Sequence, residues 1–219
     1  MVDYAQARRT MVDCQVRPSD VTDLRIIAAL LDVPREQFVA PSRRAIAYLD
    51  LDLPVADGSP PRALLKPMVF AKLLQAAEIG ESDRVLDVGC ATGYSAAVLA
   101  KLAGNVVALE EDPALAQTAA ENLTGLGVYV AVAGGPLNAG WQEDAPYDAI
   151  LLEGASEVRP DGLLAQLNEG GRLVAVIGSA PFGKATLYRK AGGQVTAVAL
   201  FDAAAPLLPG FAKTPAFVF

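Results

Sequence analysis

Histidine is absent from the 219 residues, and that absence removes whole reaction classes. Without an imidazole there is no Ser-His-Asp or Cys-His nucleophilic centre, and the commonest general base is gone. Cysteine is scarce: Cys14 and Cys90 stand far apart, in no paired spacing that would build a zinc site, and they make no disulfide framework. Long apolar runs are lacking as well. Hydrophobic residues make up 53% of the chain, much of it alanine, and no window reaches the roughly 18 uninterrupted apolar residues of a spanning helix. The opening stretch carries Arg8 and Arg9 without the apolar segment of an export signal, so the expected compartment is the cytoplasm, with no membrane partner. Basic residues are outnumbered, 18 against 25 acidic ones, and the net charge of −7 disfavours nucleic acid as a partner. Chemistry is left to carboxylates, hydroxyls, backbone groups and a cofactor.

The first 50 residues read as helical, with Ser19 or Asp20 capping a helix whose Leu24, Ile27, Leu30 and Leu31 share one face. Residues 50–67 carry proline and glycine and read as a loop crossing to the main domain; 68–79 returns to helical spacing. From Arg84 the chain alternates. Short apolar strands are expected at 84–88, 105–109, 128–132, 149–152 and 172–177, with helices at 94–103, 113–126 and 161–167. Two further runs follow at 185–188 and 195–200, and the apolar segment 211–219 reads as a last strand packed in the core. This alternation predicts an α/β fold, a three-layer sandwich on a mostly parallel sheet with a helical N-terminal extension. The expected division is 1–67, a helical and substrate-loop region packed on the main domain, and 68–219, the cofactor-binding domain.

The sharpest signal is the run from Val85 to Tyr94, where a buried strand enters a glycine-bearing turn and then a helix. Open α/β sheets bind ligands beyond the carboxyl ends of their strands, and the first such turn is the usual place. Gly89 and Gly93 allow close approach of backbone to ligand. Asp87 puts a carboxylate at the strand tip, suited to the ammonium of a methionine moiety, and Glu110 closes the next strand, where an acid accepts hydrogen bonds from ribose. A dinucleotide fingerprint would need a third glycine at Tyr94. The pattern matches instead the acid-x-G-x-G-x-G of class I (Rossmann-like) methyltransferases, with Ala91 at the middle glycine, where a methyl is tolerated if φ stays negative. The expected cofactor is S-adenosyl-L-methionine, bound by Asp87, Gly89, Cys90, Ala91, Thr92, Gly93, Glu110 and Glu111.

In combination, these residues and several other segments resemble the protein-L-isoaspartate (D-aspartate) O-methyltransferases. The segments are Val33 to Val39, Ala47 to Asp50 with Leu53-Pro54, Gly93 to Ala100, Gly140-Trp141, Ala145 to Asp148, Gln166-Leu167 and Gly170 to Val174. The resemblance implies carboxyl methylation of isomerised aspartyl residues in a protein or peptide substrate. It also exposes departures. The family's G-Q-T-I-S-Q-P loop is here Pro61 to Pro67, so Ala63 and Leu65 replace threonine and serine in a substrate loop of Ala63, Leu64, Leu65 and Lys66. Ser59, the nearest hydroxyl, lies six residues before Leu65. The family's adenine-facing acid is missing from Gly134-Gly135-Pro136, leaving Gly135 and Pro136 at that edge. Arg62 and Lys66 read as a solvated loop face that can attract an acidic substrate. Ser59 and Glu153, the latter at the fourth strand's tip, are the catalytic candidates, Glu153 being either a base or ligand or else a capping or solvated side chain. Two alternatives stay open: a methyltransferase for another acceptor using Glu153, and a non-catalytic cofactor-binding or interaction protein. Oligomeric state is not legible.

Overall fold

A computed structural model describes residues 2–55 and 62–214. Two short helices, α1 (Tyr4–Met11) and α2 (Leu24–Asp32), open the chain and are followed by a two-residue strand pair, β1 (Leu53–Pro54) and β2 (Ala63–Leu64). Then come α3 (Pro67–Ala77), β3 (Arg84–Val88), α4 (Tyr94–Leu99), β4 (Asn105–Glu110), α5 (Pro113–Gly125) and β5 (Ala131–Gly134). The chain continues through β6 (Tyr147–Ser156), α6 (Asp161–Leu164), β7 (Leu167–Ile177), β8 (Lys184–Ala191) and β9 (Gln194–Asp202). Seven strands form one sheet in the order β5-β4-β3-β6-β7-β8-β9, parallel from β5 to β7 and antiparallel at β8 and β9.

Strands buried on both faces explain the architecture. In β3, Val85 belongs to one core and Leu86 and Val88 to the other; in β6, Ala149 and Leu151 alternate with Ile150 and Leu152 in the same way. The first core takes in Met11, Ile27, Leu30, Phe70 and Leu74 from the N-terminal helices and α3. The second is closed by Leu163 and Leu164 of α6 together with Leu208 and Phe211.

Several boundaries shift for identifiable reasons. Asp23, not Ser19 or Asp20, caps α2, its side chain accepting from the Arg25 N–H; Asp20 itself is left-handed at φ 63°. Ile26 and Ala29 join Ile27 and Leu30 on the buried face, while Leu24 is exposed. The third strand begins at Ala131, three residues late, where its ladder with β4 starts opposite Val107; Val128 and Val130 pack on the core without joining it. The expected loop at 50–67 contains the β1–β2 pair, in which Leu53 lies opposite Leu64 and Pro54 opposite Ala63. The expected last strand is absent from its described part, 211–214: Phe211 is buried but not in a strand, and 215–219 lie outside the described residues. No helix among the described residues is long and apolar enough to cross a membrane.

Candidate active site

Parallel strands β3 and β4 end side by side, Val88 opposite Leu109, which brings Asp87, the turn after β3 and Glu110 together at one sheet edge. The turn bends through left-handed backbone three times, at Gly89 (φ 81°), Ala91 (φ 52°) and Gly93 (φ 94°). The negative φ that would accommodate a methyl at Ala91 is therefore not adopted. A non-glycine residue there is strained, and the Ala91 N–H compensates by donating to Glu110 Oε2 at 2.8 Å. Thr92 turns away and donates its hydroxyl to the Phe38 carbonyl at 2.6 Å.

Glu110 is fully buried and saturated. Oε1 accepts from the Glu111 and Asp112 N–H groups at 2.9 and 3.1 Å. Oε2 accepts, besides Ala91, the guanidinium of Arg62 at 2.6 Å. Arg62 is thus no solvated loop face but a buried cation, 7% exposed. Burial raises the Glu110 pKa, opposed by Arg62 and by these amides.

Asp87 is sealed from solvent. Ser95 donates its hydroxyl to Asp87 Oδ2 at 2.7 Å, and Oδ1 has no partner. Burial, reinforced by the charge of Glu110, pushes the Asp87 pKa up to about 7. Glu153, near the end of β6, is likewise buried rather than solvated or capping a turn, with Oε1 unpartnered. Burial and the neighbouring Asp87 hold its pKa well above the usual carboxylate range, against the pull of Arg35.

Beside Glu153 lies a cavity of about 10 Å³, room for one water, lined also by Arg35, Ala63, Leu64, Leu65, Gly89, Cys90, Ala91, Tyr94 and Ser95 among others. Residues Ala63 to Leu65 and the turn after β3 therefore meet. Lys66 is anchored through its N–H to Asp52 at 2.9 Å, and Gly135 packs beside Leu109 and Trp141 at the carboxyl end of β4, its N–H donating to the Glu110 carbonyl at 3.1 Å. Pro136 follows it, with the Leu137 N–H reaching Glu111 at 3.5 Å. Ser59 lies outside the described residues.

Three contributors were not anticipated. Arg35, 1% exposed, donates to the carbonyls of Ala47 and Leu65, both at 2.8 Å, and its guanidinium lies 4.7 Å from the Tyr94 ring. Its place in the Val33–Val39 segment, amid apolar neighbours, was the available signal. Ser95 supplies the hydroxyl on Asp87. Leu208 arrives after β9 and packs over the turn: a Cβ built on Gly89 would stand 3.2 Å from its Cδ2 and 3.3 Å from Arg62 Nη2.

In kind, the residues fit S-adenosyl-L-methionine: a buried acid with a free oxygen for an ammonium, a glycine turn, and a second acid placed for a ribose. Space does not yet fit, because ligand pockets of this size class hold roughly 300–1,000 Å³. Arg62 and Leu208 fill the crevice that the sequence predicts to be open over the turn.

The sequence pattern of protein-L-isoaspartate (D-aspartate) O-methyltransferases matches residues 7–203. A protein-L-isoaspartate O-methyltransferase of Methanoculleus marisnigri is 40% identical over 172 residues, covering 78% of this chain and 77% of that one. Another, from Koribacter versatilis, is 35% identical over 218 residues, covering 99% and 97%. Among solved structures, a protein-L-isoaspartate O-methyltransferase superposes with a TM-score of 0.81 at 26% identity, over 93% of this chain and 66% of that chain. A Plasmodium falciparum β-aspartate methyltransferase in complex with S-adenosyl-L-homocysteine has a TM-score of 0.78 at 19% identity, over 95% and 99%, and bears on the fold. The chain belongs to the protein-L-isoaspartate (D-aspartate) O-methyltransferase family, S-adenosyl-L-methionine-dependent enzymes of protein repair.

Proposed function

We propose that this chain methylates the abnormal carboxylate of isoaspartyl residues, with Asp87, residues 89–93, Glu110 and Glu111 holding the cofactor and Gly135 and Pro136 flanking its base. The observation that carries this reading is a convergence: the glycine turn and the loop residues Ala63 to Leu65 line one buried cavity, and the acids at the tips of β3 and β4 each bond to one of its lining residues, Asp87 to Ser95 and Glu110 to Ala91. When bound, S-adenosyl-L-methionine would supply an electrophilic methyl to an ionised carboxylate, its sulfur keeping the electron pair of the C–S bond. No proton needs to move, because the acceptor is already charged at neutral pH. The absent histidine is therefore no obstacle. The chain's own contribution is position and dryness: Ala63, Leu64 and Leu65 are all buried and would exclude water from the acceptor. The unpaired Cys14 and Cys90 are compatible with a reducing compartment, and we place the reaction in the cytoplasm.

Transfer of tritiated methyl from S-adenosyl-L-methionine to an isoaspartyl peptide tests this reading, with incorporation expected and none from the aspartyl isomer. A second reading, another acceptor served by Glu153, is favoured by the loss of loop hydroxyls at Ala63 and Leu65. If isoaspartyl peptide stays unlabelled while S-adenosyl-L-homocysteine binds, the second reading replaces the first.

A further inference from the structure

We propose that Arg62 is an intramolecular competitor for the nucleoside site, occupying Glu110 in place of a ribose, so that cofactor entry requires the Arg62–Glu110 pair to break. This rests on the cofactor assignment above and adds to it a device specific to this chain.

Four N–H donors converge on the two oxygens of Glu110. Three are backbone amides of Ala91, Glu111 and Asp112, fixed by the turn and by the start of α5. Arg62 alone reaches Glu110 through a side chain, and it alone can leave without rebuilding the turn. A ribose hydroxyl has no open position on this carboxylate until it does. The guanidinium also takes space, since its Nη2 lies 3.3 Å from the Cβ position of Gly89, the residue whose bare backbone makes room for a ligand. Exchange of the guanidinium for S-adenosyl-L-methionine, whose sulfonium leaves it a net charge of one, conserves charge. Glu110 is buried, so a guanidinium leaving it is best replaced by a ligand that brings a cation of its own.

The placement of Arg62 is built in. Its carbonyl accepts from the Val55 N–H at 2.9 Å, extending the β1–β2 pair by one step, and Ala63 follows immediately in the substrate loop. Arg35 holds the other end of that loop through the Leu65 carbonyl at 2.8 Å. Withdrawing Arg62 therefore strains or shifts the residues that face the acceptor. Cofactor binding and loop position are linked, and the linkage runs equally in both directions.

Calorimetric titration of S-adenosyl-L-homocysteine into wild type and Arg62→Ala tests the competition. Removing the competitor should tighten binding by about tenfold or more, since the binding-competent fraction rises towards one. Equal or weaker binding by the folded variant overturns the proposal and leaves the cofactor reading standing. Absence of binding to both proteins overturns both. Because Arg62→Ala strands a buried carboxylate and can fail to fold, a second measurement uses the wild-type chain. Phenylglyoxal modification of Arg62, read by peptide mass spectrometry, should be slow in the free protein and faster with saturating S-adenosyl-L-homocysteine. Continued protection of Arg62 in the complex overturns the proposal.

Discussion

Ser95, one residue into α4, donates its hydroxyl to Asp87 Oδ2 at 2.7 Å, while the other oxygen of Asp87 is left with no partner in a site sealed from water. One hydrogen bond does not offset the loss of hydration, and the acid holds its proton to a pKa of about 7 against an ordinary 3.8. Because the folded-state value is the higher, the stabilising contribution is complete below about pH 4 and is lost as pH rises through 7. Asp87→Asn should remove up to about 4 kcal/mol of pH dependence between pH 4 and 8. Urea denaturation of both proteins across that window checks it; parallel profiles would place the titration elsewhere.

Arg35 ties the N-terminal layer to the substrate loop through two carbonyls and covers the Tyr94 ring. A lysine cannot reproduce two divergent N–H donors on a planar group, so Arg35→Lys should cost about 2–3 kcal/mol. Chemical denaturation measures this, and a stable lysine variant would show that the bonds are expendable.

Leu208, 2% exposed, fills the space over Gly89 and Gly154. Its truncation to alanine should destabilise the chain by about 2–4 kcal/mol through lost burial and the void left behind. A melting temperature close to that of the wild type would mean that neighbours collapse into the gap.

What was legible in the sequence had local causes. The alternation of apolar strands, the acid before Gly89 and the acid closing the next strand all follow from period and spacing within some 25 residues, and β3 and β4 lie adjacent as that reading requires. What was missed depends on distance along the chain. Arg62 meets Glu110 across 48 positions, and Arg35 meets Leu65 across 30; a charged residue in a proline-rich stretch carries no mark of such a partner. Ala91 was misjudged because a short φ preference yields to a buried carboxylate that fixes its N–H. The N-cap of α2 was misassigned because four polar residues of capping type precede it, Ser19, Asp20, Thr22 and Asp23; Asp23 has the extended backbone a cap requires, whereas Asp20 is left-handed.

After β9 the chain doubles back across the sheet edge, with Leu207 bridging to Ala155 and the Leu208 N–H bonded to the Ala155 carbonyl at 3.0 Å. This return has a temporal meaning, because a polypeptide emerges from the ribosome from its N-terminus. The acid, the turn and the second acid are all made before residue 208 is polymerised. The cover over Gly89 is therefore completed only by a segment made well over a hundred residues after the turn it closes.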